Sequence, residues 1–321
     1  MEQTNGARAE IEAPFAARLQ CSLDLRRRAP DRESYPLWYV YRIPTLMRRC
    51  PVVQRPILIP VFLLSSLWAG QSQPLASERL YDAFTRPWLD ASKWLTLPTC
   101  SATIFLDTTA SLNLLDCARE IQDNKLRLLV KAYGNAVSDE GRQFGPSELY
   151  FINPNAVNSI AATLRVNRVD AVACPSNSTA SFGQTILGGN YFNPATGDPN
   201  DDVAAILIVE HAAIDTAGTL NVGALVFSPN AFYGFSHLGT IQFHELLTAK
   251  VQWDQPNHRF VFTVASASLR STDSIYYSVP DTMPAVGAIK LLAARAFAPN
   301  CTTEHTTADI EVLFDNVAIN E

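Results

Sequence analysis

The stretch Thr248–Val264, TAKVQWDQPNHRFVFTV, limits what this chain can fold into more than any other part of it. Ala249, Val251 and Trp253 alternate with Lys250 and Gln252, and Phe260, Phe262 and Val264 repeat the alternation after Asp254-Gln255-Pro256-Asn257-His258. A period of two puts the apolar side chains of a strand on one face, and Asp, Pro and Asn each favour a chain reversal. The spacing predicts a β-hairpin with an aromatic inner face, in which Trp253, Phe260 and Phe262 are largely buried. A lone hairpin cannot cover three aromatic side chains, so a second sheet has to pack against it.

Further strand patterns follow along the chain. Lys125–Tyr133, KLRLLVKAY, turns Leu126, Leu128 and Val130 to one side and Arg127 and Lys131 to the other. Strand patterns also occupy 102–107, 147–153, 159–166, 171–174, 191–192, 203–210, 220–227, 236–243, 274–279, 289–297 and 310–319. The segment 288–296 is rich in alanine and fits a helix or a strand. With no long amphipathic helix and no fixed repeat period, the pattern is that of an all-β chain rather than a propeller or solenoid. The 47% of apolar and 17% of charged residues suit a chain that buries a large core.

Charge is unevenly placed. Residues 1–72 hold ten Arg and no Lys against six acidic residues, a balance of +4, so within the formal total of −6 residues 73–321 carry −10. An acidic body of that size argues against nucleic acid as a partner, because phosphate binding needs clustered Lys and Arg. The basic end has the layout of a leader. Ile57–Gly70, ILIPVFLLSSLWAG, is an uncharged, mostly apolar run of fourteen residues preceded by Arg48, Arg49 and Arg55 and followed by small and polar residues, as in a secretory signal. As a helix it spans about 21 Å, short of a hydrocarbon core of about 30 Å, so no permanent membrane span is expected. A start at Met47 gives a signal of ordinary length. The expected organisation is a leader over 1–72 and one sandwich domain over 73–321, secreted or placed in the periplasm or cell envelope.

Four cysteines remain after the leader: Cys100, Cys117, Cys174 and Cys301. An even number in an exported chain is consistent with two disulfides in any of three pairings. Zinc is disfavoured, because no Cys-x-x-Cys or close Cys/His pair has ligand spacing.

The opening segment ending in Ser92-Lys93-Trp94, the strand-turn-strand VQWDQPNHRFVF and the closing LFDNVAI (313–319) together resemble the concanavalin A-like lectin/glucanase and laminin-G-like superfamily. The resemblance implies a two-sheet antiparallel jelly-roll sandwich over about residues 80–321, with a concave face that in some members binds glycans and in others cleaves them. The glucanase branch carries Glu-x-Asp-x-Glu or Glu-x-Asp-x-x-Glu on one strand; the nearest stretch here has Thr307, Asp309 and Glu311, with threonine where the first carboxylate would stand. No catalytic residue is therefore assigned. The expected function is a non-catalytic carbohydrate-binding or cell-envelope module, with an extracellular or envelope polysaccharide as partner. The alternatives are a glycoside hydrolase or polysaccharide lyase with an atypical carboxylate arrangement, and a structural or interaction domain with no glycan ligand.

Other candidates come from residue type and spacing. Arg127, Tyr133, Tyr150, Arg165, Glu210 and Gln252 are wet-face residues expected to line the concave sheet. Asp198, Asn200, Asp201 and Asp202 gather oxygen ligands suited to calcium in the loop NPATGDPNDD. The acidic body disfavours polyanionic glycans unless calcium bridges them. His244-Glu245-Leu246-Leu247-Thr248 lacks the second histidine of a zinc-protease motif, and Gly234–Gly239 has the wrong spacing for a nucleophile elbow and reads as a turn. Asn177-Ser178-Thr179 and Asn300-Cys301-Thr302 match the glycosylation acceptor pattern.

Overall fold

A computed structural model gives the architecture, and it describes residues 78–95 and 115–320. In chain order the strands are β1 (Arg79–Asp82), β2 (Trp94–Leu95), β3 (Leu115–Gln122), β4 (Lys125–Tyr133), β5 (Arg142–Phe151), β6 (Ser159–Ala171), β7 (Phe182–Asn193) and β8 (Val203–Ala212). They continue as β9 (Thr219–Phe227), β10 (Phe232–Gln242), β11 (Leu247–Asp254), β12 (Arg259–Ala265), β13 (Arg270–Tyr276), β14 (Met283–Pro284), β15 (Lys290–Pro299) and β16 (Thr307–Asn320). One sheet has the order β13-β12-β11-β6-β16-β4-β3, with β1 pairing β16; the other has β10-β9-β8-β7-β15-β5-β2, with β14 pairing β7. Every pairing is antiparallel.

The two orders match position by position. β4 faces β5, β6 faces β7, β16 faces β15, β11 faces β8 and β13 faces β10, so the chain repeatedly crosses from one sheet to the other as it winds. That winding is a jelly roll, and the molecule is the two-sheet antiparallel sandwich expected from its strand patterns. Leu126, Leu128 and Val130 of β4 and Ile310, Val312 and Phe314 of β16 point inward, against Leu207, Val209, Val222 and Leu292 of the second sheet.

The β11–β12 hairpin has the predicted register, with Val251 opposite Phe262 and Trp253 opposite Phe260. A short 3-10 turn over Gln255–Asn257, closed by His258 in the left-handed region at φ 49°, makes the reversal. Phe260 and Phe262 are fully buried, but Trp253 is only partly buried. The reason is its polar edge: the indole Nε1 donates to the Tyr277 hydroxyl at 2.7 Å near the rim of the core. Phe192 stacks on Trp253 with centroids 5.3 Å apart, and Tyr191 meets the edge of Phe260 at 5.0 Å.

Several element boundaries differ from the sequence patterns. Residues 288–296 are strand, because β15 pairs on both sides, with β5 and β7, and is buried along its whole length. Gly234–Gly239 lies inside β10 rather than in a turn; bulges at Phe232/Gly234 and His237/Gly239 let the glycines stay in the ladder. The strand predicted at 274–279 runs instead over β13, in register with β12. The strand predicted at 171–174 is the end of β6 followed by a loop. The pattern at 102–107, the leader and Cys100 lie outside the described residues.

Cys174, beyond β6, and Cys301, beyond β15, form a disulfide that closes 127 residues of chain, and Cys117 is also disulfide-bonded. Closing so long a loop removes much of the unfolded chain's freedom. Reduction and alkylation are expected to lower the unfolding free energy by about 2–4 kcal/mol in urea titrations. Coincident denaturation curves with and without reductant would show that the crosslink contributes nothing.

Candidate ligand-binding site

The six candidate ligand residues do not converge. Arg127, Tyr133, Arg165 and Gln252 sit on the outer face of the first sheet, whereas Tyr150 and Glu210 sit on the outer face of the second, with the core between them. The expectation that they line one concave face is corrected: alternation shows which residues leave the core but not which sheet carries them.

On the first sheet these residues are tied into a lattice of ion pairs. The Arg127 guanidinium bridges Glu120 at 2.6 Å and Glu311 at 3.0 Å. Asn167 links Glu311, at 3.2 Å, to Arg165, at 2.9 Å. Arg168 pairs with Asp309 at 3.2 Å. Burial pushes the Asp309 carboxyl up despite that partner, while the bond to Arg127 holds Glu311 down. Each acid of the stretch around Thr307 thus has its own cation. Tyr133 donates to Asp116 and lies under Lys131, and its phenol is pushed up to about 12, chiefly by the bond to Asp116.

The second sheet is apolar on both faces. Leu207 and Val209 enter the core, while Ile206, Ile208, Ile186, Leu225 and Leu291 form a separate buried cluster on the opposite side. A polar row crosses that outer side through the register pairs Arg295–Gln184, Gln184–Glu210 and Glu210–Asn221. Arg295 binds Glu148, which also accepts from Tyr150. The side-chain amide oxygen Oε1 of Gln184 is buried without a hydrogen-bond partner. Glu148, Arg295 and Gln184 are buried, whereas Glu210 and Asn221 at the other end of the row are partly exposed.

The carboxylates of the 193–202 loop are engaged in holding the loop. Asp198 accepts from the backbone N–H of Asn200 at 2.9 Å and caps a 3-10 turn, and Asp201 accepts from Asn230 at 2.8 Å. Buried Asp202 accepts from Asn193 at 2.8 Å and from the backbone N–H groups of Val286 at 3.0 Å and Gly287 at 2.6 Å, fastening this loop to the one before β15. Asp139 approaches Cys174 and Cys301, but the disulfide removes both sulfurs as thiolate ligands.

Both acceptor asparagines are structural. Asn300 is fully buried; its side chain receives Asn135 N–H at 3.1 Å and Gln143 at 2.9 Å and donates to Glu140. Asn177 donates to the carbonyls of Gly141 and Asn300, both at 2.9 Å. Glu245 pins the turn between β10 and β11: the hydroxyls of Ser266 and Ser268 hold its carboxyl down at about 2.

An open concavity lies at the end of the sandwich where β1 joins β16 and β2 joins β5. It is a cavity of about 520 Å³ between β1, the turn before β2 and the loop after β5, a volume within the usual range for small-molecule sites. Leu80, Ile152, Val157 and Ile319 give it apolar surface, and Arg79, Tyr81, Ser92, Lys93 and Asn153 give it polar groups. Tyr81 is held rigidly, edge-on to Trp94 at 5.2 Å and against Phe151 at 5.2 Å, with its hydroxyl bonded to the Lys93 carbonyl. Asn153, also in the lining, precedes a 3-10 turn without capping it through its side chain. None of the described residues lining the cavity is a carboxylate. Of the lining residues, Ser92 and Lys93 fall in the opening segment, and Ile152, Asn153 and Ile319 in strand patterns of the sequence, none of which implied that they meet. The cavity arises from pairings 57 to 240 residues apart in the chain, Trp94 with Phe151 and Arg79 with Ile319, which local patterns do not reveal.

Sheet order defines the class: an antiparallel jelly-roll sandwich, here with a cavity of mixed polar and apolar lining at its rim. No protein-family model and no curated protein matches the sequence significantly. Among solved structures, a β-1,3-glucanase from Mycobacterium marinum aligns over 77% of this chain and 100% of its own, at 12% identity and a TM-score of 0.38. Lectin II from Ulex europaeus aligns over 66% and 94%, at 12% identity and 0.31. A legume lectin-like domain from Entamoeba histolytica aligns over 62% and 87%, at 7% identity and 0.30. At such scores the description of the fold rests on the sheet order above and not on these likenesses.

Proposed function

We propose that the protein is an exported, non-catalytic carbohydrate-binding sandwich whose ligand occupies the rim cavity. The observation that carries this reading is the lining itself: a rigid aromatic ring, apolar surface and several hydrogen-bonding side chains, with no acid among the described residues. Sugar rings have apolar faces and hydroxyl edges, and Tyr81 beside Asn153, Ser92 and Lys93 offers a partner for each. Glycosidase chemistry needs two carboxylates about 5–9.5 Å apart across the scissile bond. Asp309 and Glu311 face the other side of the sandwich wall, each committed to its own arginine. The apolar run at 57–70 and the Cys174–Cys301 disulfide support export, and no described helix is long and apolar enough to cross a membrane. A calcium ion on the 193–202 loop would act by stiffening that loop.

A glycan array with and without a chelator, run beside a reducing-sugar assay on the same polymers, tests the reading. Binding without release of reducing ends is expected, and Asn153→Ala should weaken it about tenfold with an unchanged melting temperature, the loss of one or two hydrogen bonds. Release of reducing ends that survives Asp309→Ala and Glu311→Ala would make the protein an enzyme using other acids. Failure to bind any glycan would leave the structural role.

A further inference from the structure

We infer that a glycan on Asn177 or Asn300 and the folded state exclude each other, so the chain is made for an export route that leaves the Asn-x-Ser/Thr pattern unmodified. This rests on the export reading and goes beyond it in specifying the route. The modification is made on the side-chain amide nitrogen of asparagine. Transfer joins that nitrogen to the anomeric carbon of an activated sugar diphosphate; the nitrogen gives up one of its two hydrogens as a proton, and the diphosphate leaves with the bonding electrons. In the fold both nitrogens are engaged. Asn177 Nδ2 donates to the carbonyls of Gly141 and Asn300, both at 2.9 Å, which uses both of its hydrogens, and Asn177 Oδ1 accepts from Thr179 N–H at 2.9 Å. Asn300 Nδ2 donates to the Glu140 carbonyl at 2.9 Å, while its Oδ1 receives Asn135 N–H at 3.1 Å and the Gln143 amide at 2.9 Å.

Neither position has room for a sugar. Asn300 is 0% exposed and Asn177 8%. A hexose is larger than a phenylalanine side chain, and a close-packed interior yields no such volume without moving backbone. The two asparagines also belong to one junction, where the loops after β4, β6 and β15 meet. There Asn300 N–H donates to Gly141 at 3.1 Å, Cys301 N–H to Asn135 at 2.8 Å and Asn177 N–H to Cys174 at 3.3 Å. The Cys174–Cys301 disulfide crosses the same junction, and Thr302, the third residue of the second acceptor pattern, donates its hydroxyl to Asp139 at 2.9 Å. A sugar on either asparagine would hold the two cysteine-bearing loops apart and leave buried carbonyls without their donors. The junction forms only when segments 127 residues apart dock. Until then both amides are open to transfer, so a route that glycosylates the emerging chain would trap it unfolded.

The test treats the purified full chain with a soluble asparagine glucosyltransferase and a nucleoside-diphosphate glucose, once folded and once reduced and unfolded in dilute urea. The unfolded sample is then returned to buffer and reoxidised, and peptide masses locate hexose and disulfide in each fraction. The folded protein is expected to gain no hexose at Asn177 or Asn300. Chains that gain one while unfolded should fail to recover the Cys174–Cys301 disulfide, so that the refolded fraction carries none at either position. Folded protein with hexose at either asparagine and the parent's melting temperature overturns the inference. A second arm is independent of the enzyme: Asn177→Gln and Asn300→Gln keep the amide but lengthen the side chain by a methylene, and each should lower the melting temperature by about 3–10 °C. Either variant melting like the parent also overturns the inference. Fractionation of the producing cells reads export separately. Retention inside the cell overturns the export reading and the route with it, whereas hexose on folded protein overturns the exclusion alone.

Discussion

Phe260→Ala is expected to lower the unfolding free energy by about 3–5 kcal/mol, and Phe262→Ala by a similar amount. Both rings are fully buried on the inner face of β12. Phe260 touches Tyr191, Phe192 and Tyr277, with ring centroids 5.0, 6.3 and 5.6 Å away, so its loss opens a void between the two sheets that rigid aromatic neighbours cannot close. The measurement is the urea midpoint at constant slope, which isolates stability from changes in the unfolded state. A Phe260→Ala protein that melts like the parent would mean that the hairpin does not pack on the second sheet. Truncating Trp253 has a different cost, because part of its surface is already wet and the Tyr277 hydroxyl, which donates to Asp281 at 2.6 Å, loses the indole N–H it accepts.

Where local pattern and burial coincide, the sequence was readable. β4 and the β11–β12 hairpin each have one wet face, and the burial of KLRLLVKAY alternates residue by residue as its spelling implies. β7 shows the opposite case. Its centre is Gly188-Gly189, which breaks any apolar alternation, and its backbone takes φ values of 136° and 150° there. A Cβ at Gly188 would lie 2.2 Å from the carbonyl oxygen of Ala205 on the adjacent strand, so the pair is required by close approach and not by a turn. β15 was ambiguous because Ala-rich sequence is helix-tolerant; its two neighbouring strands decide the matter. Of the candidate site residues, the sequence could mark Arg127 and Glu210 as leaving the core, yet their placement on opposite walls follows from the sheet each strand joins. That is a long-range property, and so is the rim cavity.

Raising the pH from 7 to about 9.5 is expected to stabilise the protein, and Lys290 is the reason. Lys290 begins β15 with its side chain buried; its Nζ donates to the Pro154 carbonyl at 2.7 Å and lies 4.2 Å from the centre of the Tyr191 ring. The carbonyl and the ring face both favour an ammonium, but the loss of hydration outweighs them and pushes Lys290 down from 10.5 to about 7. Between these values the unfolded chain holds the proton and the folded chain does not, so stability rises with pH at up to about 1.4 kcal/mol per unit. Below pH 7 both states are protonated and the full cost of burying the charge, on the order of 4–5 kcal/mol, is present. The rise has an upper limit. Burial raises Tyr191 and Tyr277 above the usual phenol range, and the bond to Asp116 raises Tyr133, so the unfolded chain loses phenol protons first above pH 10 and stability falls again. Urea titrations at pH 7.0, 8.0 and 9.0 should show the increase in the parent and a much flatter profile in Lys290→Met, which keeps the volume and removes the charge. Pro154 O still accepts from Val157 N–H at 3.2 Å in that variant, so the carbonyl is not orphaned. A parent whose stability does not change between pH 7 and 9, or a Lys290→Met protein with the parent's slope, would show that this amine does not titrate inside the fold.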